Sequence, residues 1–341
     1  MQQIRTALTL FNGISGLHLA LDKAQISAEQ VYYSEIDKFA NKVTEQHYPN
    51  DIALGDVTKW KDWDIDWSSV DLVSAGFPCQ AWSIAGKQLG DKDERGMLFW
   101  TTLEIIKTVL EHNPNAKFLM ENVKMKKDFE EYITHHTTEA LGYVEKILIN
   151  SALVSAQNRN RYYWTNFEVT QPDDKGNLLK DILENDADVK YTVNQDALPR
   201  YTDENGKVKG FRGSEQKSNC LTASMHKGFG NDGCTVVRAT VQANAEHTYN
   251  GKSPTLTASM GVGGGNVPLF TDYETATKYK GKYIDKYERL EYRKLTPLEC
   301  ERLQTVPNNW TECLSNTQRY KSLGNGWTID VIAHILECAY K

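Results

Sequence analysis

The sequence predicts an α/β fold: a mixed, mostly parallel sheet with helices on both faces, and a smaller domain inserted before the C-terminal segment. Three observations predict it. Short apolar runs of strand character alternate with helix-patterned stretches from residue 4 to residue 167. Strands covered on both faces are expected to read as such runs. Gly13, Glu35, Asp56, Cys79 and Glu121 each follow one of these runs. In an open α/β sheet the C-terminal ends of parallel strands share one edge, and ligands bind there. Finally, the patterning weakens between residues 168 and 292 and resumes after them.

Residues 4–11 alternate and are rich in β-formers, then break into Asn12-Gly13-Ile14-Ser15-Gly16 before a helix over residues 17–23. Strand, glycine turn and helix open a nucleotide-binding sheet, because glycine admits a ligand close to the backbone and the helix N-terminus offers free N–H groups. Two glycines alone fit an ordinary turn as well. The strand over residues 30–34 ends in Glu35, about 20 residues past that turn, where a carboxylate can accept hydrogen bonds from both ribose hydroxyls. A helix over residues 40–47 and a strand over residues 52–54 lead to Gly55-Asp56-Val57. Asp56 can receive an adenine amino group, or merely cap the following turn.

Residues 71–75 form the next apolar run, punctuated by Gly76 and Pro78, so Cys79 falls just past a buried strand. A thiolate there serves as a nucleophile if a helix N-terminus or a cation lowers its pKa; a lone cysteine is more often buried and inert. The polar loop over residues 81–96, with Lys87, Lys92 and Arg95, is long for a compact core and reads as a lid. A helix to about His112, a strand over residues 116–120 ending in Glu121-Asn122, a helix to Leu141 and a strand over residues 144–150 follow. Gln157-Asn-Arg159-Asn-Arg161 then enters an aromatic strand over residues 162–167. On a strand, side chains two apart share a face, so Arg159 and Arg161 point together.

The 341 residues are 40% hydrophobic and 25% charged, enough for a sizeable core, with a net charge of -6. That charge does not advertise a nucleic-acid binder, but the local field of a cleft decides binding. The six cysteines (79, 220, 234, 300, 313 and 338) show no Cys-x-x-Cys and no paired Cys/His spacing, so no metal site is expected. No signal peptide or long apolar run is read, which predicts a cytoplasmic protein with free thiols and no membrane association.

These motifs together resemble the cytosine-5 DNA methyltransferase family. Leu10-Phe-Asn-Gly-Ile-Ser-Gly16 resembles its first motif, with Thr9, Asn12 and Ser15 where the family often has Asp, Ala and Gly. Gly76-Phe-Pro-Cys79 resembles its nucleophile motif, Glu121-Asn-Val123 its Glu-Asn-Val, and Gln157-Asn-Arg159-Asn-Arg161 its Gln-x-Arg-x-Arg. Arg293-Lys-Leu-Thr-Pro-Leu-Glu-Cys-Glu-Arg-Leu-Gln304 resembles the segment supporting the recognition domain, and Gly324-Asn325-Gly326 the last motif, which completes the cofactor pocket.

The resemblance implies a Rossmann-like S-adenosyl-L-methionine-dependent methyltransferase fold. It implies cofactor contacts from Phe11, Asn12, Gly13, Ile14, Ser15, Gly16, Glu35, Ile36, Asp56, Val57, Pro78, Leu98 and Asn325. Carbon 5 of cytosine is a poor nucleophile until a thiolate adds at C6, the role given to Cys79. Glu121 then protonates or hydrogen-bonds N3, and Arg161 with Arg159 beside it stabilises O2. Read alone, Glu121 is an N-cap carboxylate and the arginines are surface ion pairs.

The target base must leave the duplex, and the loop over residues 80–96 is the expected clamp, with Gln80, Ala81, Trp82 and Ser83 nearest the vacated stack and Lys87 among its cations. The middle segment holds an internal repeat: Lys217-Ser-Asn-Cys-Leu-Thr-Ala-Ser-Met returns as Lys252-Ser-Pro-Thr-Leu-Thr-Ala-Ser-Met. The second copy resembles the family's DNA-facing loop, with Thr255, Thr257, Gly263 and Gly264 toward DNA. The first copy reads equally as a second reading loop or a structural hairpin. Lys217, Lys227, Lys252 and Arg238 are candidates for phosphate contacts, or a solvated surface. The expected layout is a catalytic domain over residues 1–167, a target-recognition domain over 168–292 and a returning C-terminal segment over 293–341. The expected partner is double-stranded DNA, bound by a monomer with no obligate protein partner and any restriction endonuclease a separate chain. A tRNA-modifying relative shares these motifs, but the long middle with its glycine loops favours a duplex. A catalytically silent DNA-binding relative would have lost the cysteine, the glutamate or the arginines.

Overall fold

Alternating apolar residues face opposite sides of one seven-stranded sheet in the computed structural model of the protein, which describes residues 2–78, 96–184, 187–191, 211–213, 215–223, 225, 235–238 and 292–341. The strands are β1 (Gln2–Leu10), β2 (Ile26–Ser34), β3 (Ile52–Ala53), β4 (Val70–Ala75), β5 (Lys117–Val123), β6 (Glu145–Asn150) and β7 (Asn160–Thr165). Their order is β3-β2-β1-β4-β5-β7-β6. The first five in that order run parallel, and β7 lies antiparallel to both β5 and β6. The chain steps outward from β1 to β2 on one side and to β4 on the other. This reversal opens a crevice at the carboxyl ends of β1 and β4, where ligands bind in such sheets.

Helices cover both faces. Ala7, Leu72, Leu119 and Tyr163 pack on α1 (Gly16–Lys23) and on the last helix, Ile329–Tyr340, through Leu17, Leu21, Val331 and Ile335. Their strand neighbours Leu8, Val73, Phe118 and Trp164 point the other way, onto Phe99, Ile106 and Ile133 of Met97–His112 and Lys127–Leu141. This period of two is the pleat expressed as a two-sided core. Among the described residues the α-helices in chain order are α1, α2 (Lys38–His47), α3 (Met97–His112), α4 (Lys127–Leu141), α5 (Pro297–Leu303), α6 (Asn316–Asn325) and α7 (Ile329–Tyr340).

Several boundaries depart from the sequence expectation: β5 runs on to Val123, pairing with β7 as far as Arg161, so Glu121 lies within the strand rather than past its end. β2 begins at Ile26, since its polar residues Ser27 and Glu29 lie on an exposed stretch that still pairs with β1. α2 begins at Lys38, because the Asp37 carboxylate accepts from the Phe39 N–H at 2.9 Å and caps it. β7 ends at Thr165 rather than 167, where the Asn166 side chain takes over the pairing, accepting from Phe118 N at 2.9 Å and donating to Ala116 O at 2.8 Å.

The C-terminal segment returns to this layer. A Thr296/Glu299 capping box starts α5, and Glu299 takes a two-pronged Arg293 guanidinium at 2.7 and 2.8 Å in a buried site. α7 then lies beside α1, with Asp330 paired to Lys23 of α1 and, at 2.9 Å, to Lys175. Val169, Leu179, Ile182, Leu221 and Met225 belong to the same core as α1 and α7. A short antiparallel pair, β8 (Val236–Arg238) with β9 (Tyr292–Lys294), joins the middle of the chain to this segment.

The first copy of the repeat is built into the wall of the sheet over its described residues. Ser218 bridges Gln157, donating from its N–H to Ala156 O at 2.7 Å and accepting from Asn158 N at 3.0 Å. Lys217 is not placed for a phosphate. Its ammonium donates to the carbonyls of Ala152 at 2.7 Å, Ser155 at 3.1 Å and Asn177. These carbonyls lie in turns with no ladder to satisfy them, and a lysine brings three donors. Burial draws the Lys217 pKa below its ordinary value.

Candidate active site

The site grows from the ends of the parallel strands. After β1 the chain turns through Phe11, Gly13 and Ser15, all in the left-handed region at φ 57, 57 and 66. Two of these are not glycine, at a cost of about 1 kcal/mol or more each. Side-chain bonds offset that cost: Asn12 Nδ2 and Ser15 Oγ both reach Thr44 Oγ1 of α2, at 3.0 and 2.8 Å. Asn12 and Ser15, two of the three departures from the family's first motif, therefore knit the turn to the next helix.

One cavity of about 580 Å³ occupies the crevice. Of the residues the sequence assigned to the cofactor, Phe11, Gly13, Glu35, Ile36, Asp56, Val57, Pro78, Leu98 and Asn325 line it. Asn12, Ile14, Ser15 and Gly16 do not; they hold its wall from behind. The Ile14 carbonyl accepts from Trp310 Nε1 at 3.0 Å, and Gly16 lies against Trp327. Glu35 carries more than the sequence suggested. Its carboxylate already accepts the N–H groups of Gly13, Ile36 and Asp37, each at 2.8 Å. Of roughly four acceptor positions on a carboxylate, that leaves about one for a ligand hydroxyl. Asp56 both lines the cavity and caps the turn after it, accepting from Thr58 N and Oγ1 at 2.9 Å, which holds its carboxyl below the usual range. Ile36, 76% exposed, offers an apolar face to the same space. Two carboxylates for hydroxyl or amino groups between apolar faces at Phe11, Ile36, Val57 and Leu98 fit an adenosyl group.

The far end of the cavity is acidic and basic at once. Glu121 Oε1 lies 2.9 Å from Arg161 Nε, with side chains only 11% and 13% exposed. The antiparallel pairing of β5 and β7 produces this contact, setting Val123 opposite Arg161. Trp327 Nε1 donates to Glu121 Oε2 at 3.1 Å. Arg159 also lines the cavity, but its guanidinium donates to Leu221 O at 2.9 Å and Gly326 O at 2.8 Å. It ties the first repeat to the C-terminal glycine turn. Burial and the neighbouring Arg161 charge pull its pKa down. Cys220 Sγ lies 3.3 Å from Arg159 Nη1 and 4.0 Å from Arg161 Nη2. Burial pushes that thiol up, but the two guanidinium charges outweigh it and hold it below a thiol's ordinary value. Gly324 packs so closely on this repeat that a Cβ would stand 2.2 Å from the Thr222 carbonyl carbon.

Pro78, which precedes Cys79 in the sequence, lines the cavity, and Asn122 Nδ2 donates to Phe77 O at 3.3 Å. Cys79 itself lies outside the described residues, as do Gln80, Ala81, Trp82, Ser83, Lys87, Thr255, Thr257, Gly263 and Gly264. The sequence reading missed Trp327 and Cys220. Their separations of 206 residues from Glu121 and 61 from Arg159 leave no spacing signal to read.

A mostly parallel sheet with antiparallel β7 inserted between β5 and β6, and its cavity at the carboxyl edge, is the Rossmann-like fold of S-adenosylmethionine-dependent methyltransferases. The chain belongs to the C-5 cytosine-specific DNA methylase family, whose pattern matches residues 6–341. It is 32% identical over 97% of its length to the type II methyltransferase M1.ScrFI of Lactococcus lactis subsp. cremoris, covering 76% of that protein. It is 30% identical to M.NlaX of Neisseria lactamica, covering 97% of this chain and 94% of that one. Among solved structures, the methyltransferase EhMeth of Entamoeba histolytica superposes with a TM-score of 0.69 at 17% identity, over 99% of this chain and 98% of that one. At that identity the likeness speaks for the fold alone.

Proposed function

We propose that this protein transfers a methyl group from S-adenosyl-L-methionine to carbon 5 of a flipped-out cytosine in a specific double-stranded DNA sequence. The observation that carries the reading is one continuous cavity. It has an adenosyl-fitting end at Glu35, Ile36 and Asp56, and at the other end a Glu121–Arg161 pair 2.9 Å apart. Names of relatives as type II methyltransferases support DNA as the substrate and a place in restriction–modification.

The Cys79 thiolate adds to C6, forming an S–C6 bond as the C5=C6 electron pair becomes available at C5 and charge moves toward N3 and O2. Glu121, taking up a proton as the base binds, neutralises N3 by giving it that proton or a hydrogen bond, and the Arg161 guanidinium beside it faces the developing charge at O2. Arg159 holds the backbone that frames the base rather than the base alone. The bound cofactor supplies an electrophilic methyl carbon on a sulfonium. After methylation the C5 proton leaves to a base, the electron pair re-forms C5=C6, and Cys79 is expelled as thiolate. Residues 168–292 are proposed to read the target, with Thr255, Thr257, Gly263 and Gly264 toward DNA, and residues 80–96 to close over the flipped base.

The test is conversion sequencing of DNA from a host lacking cytosine methylation, expressing this protein or its Cys79→Ala variant. The expected result is 5-methylcytosine in one short sequence context, only with the intact cysteine. Unmethylated DNA from a folded, cofactor-binding protein, or methylation confined to RNA, would overturn it.

A further inference from the structure

Trp327 follows the glycine turn Gly324-Asn325-Gly326 and stands between the cofactor loop and the acid of the site. Its indole fits a slot made by two glycines. A Cβ at Gly76 would lie 2.9 Å from Nε1, and one at Gly16 would lie 3.2 Å from Cε3. Both flanks of the residue are fixed. Gly326 O accepts from Arg159 at 2.8 Å and Gln304 at 3.2 Å, and Thr328 Oγ1 bonds Gln304 Oε1 at 2.9 Å and Ser151 Oγ at 3.0 Å. So held, the indole aims its N–H at Glu121 Oε2 while Arg161 holds Oε1.

We infer that Trp327 is a positioning residue for the Glu121 carboxyl, an inference that rests on the methyltransfer reading above. An indole N–H only donates. It therefore occupies one lone pair of Oε2 and leaves the outward positions of the carboxyl to the base. With Arg161 on the other oxygen, the carboxyl plane is fixed from two sides, so the group that meets N3 needs no reorganisation when charge develops. The C-terminal segment thus contributes to catalysis through Glu121, beyond completing the cofactor wall.

The experiment is a double-mutant cycle on the full chain, with DNA methylation, cofactor binding and melting measured for each protein. Trp327→Phe keeps a ring in the slot and removes the donor. We expect kcat to fall about tenfold, the loss of one charge-assisted hydrogen bond, with KM for DNA and cofactor within about twofold. In a Glu121→Gln background the same change is expected to cost nothing further, because the acid it positions is gone. A purely packing role would instead raise the cofactor KM and add its loss in both backgrounds, and that outcome overturns the inference, as does a wild-type kcat for Trp327→Phe. If Trp327→Phe does not fold, Gly76→Ala, whose methyl displaces the indole, is carried through the same cycle and read by the same criterion. Failure of the wild type to methylate DNA would instead sink the functional reading and this inference with it.

Discussion

Glu121 and Arg161 meet at 2.9 Å with both side chains nearly buried, so each depends on the other. Removing one partner of such a pair leaves an uncompensated charge at a cost of about 3 kcal/mol. Arg161→Ala is therefore expected to lower the unfolding free energy from urea melts by that amount and to reduce methyl transfer at least about 100-fold. Arg161→Lys keeps the charge but not the planar fork, and should recover most of the stability and little of the rate. Equal recovery of both would mean that charge alone is required. The Glu-Asn-Val and Gln-x-Arg-x-Arg patterns were visible in the sequence, and so was the shared face of the two arginines. That Arg159 spends its donors on the carbonyls of Leu221 and Gly326 was not, because those acceptors lie 62 and 167 residues away.

The first repeat shows how an element changes meaning once it is placed. Its lysine belongs to a type that contacts phosphates, yet Lys217 satisfies three carbonyls of neighbouring turns. Lys217→Met should lower stability by about 1 kcal/mol, because three partly buried carbonyls lose their donor. It should leave the slope of log affinity for DNA against log salt unchanged. A phosphate contact would reduce that slope by about one, and such a reduction would restore the sequence interpretation. The helices and parallel strands were legible because period, caps and glycine turns are local signals. The place of β7 was not: nothing along residues 160–165 says that the strand inserts between β5 and β6 and runs against both.

At the scale of the molecule, the C-terminal segment closes the fold onto its beginning. Asp330, in the first turn of α7, pairs with Lys23 of α1 and with Lys175, and its charge also suits a helix N-terminus. Burial pushes the Asp330 carboxyl up, but the two ammonium groups prevail and hold it below its ordinary value. A carboxylate depressed in the folded state stabilises the fold above its unfolded pKa of about 3.9, and that contribution disappears as pH falls through the lower folded value. Asp330→Asn should therefore cost about 1 kcal/mol at pH 6, a modest figure because Lys175 is 53% exposed. The gap to the wild type should close as urea melts are taken toward pH 3; a gap independent of pH would assign the effect to packing. By itself the sequence determined the α/β class, the order of the parallel strands' chemistry and the residue types of the site, since periodicity and turn residues act over a few positions. Only the tertiary structure decided that Glu121 meets both Arg161 and Trp327, that Arg159 and Lys217 clamp backbone, and that α7 lies on α1. Those contacts join residues tens to hundreds of positions apart, and packing selects them, not local preference.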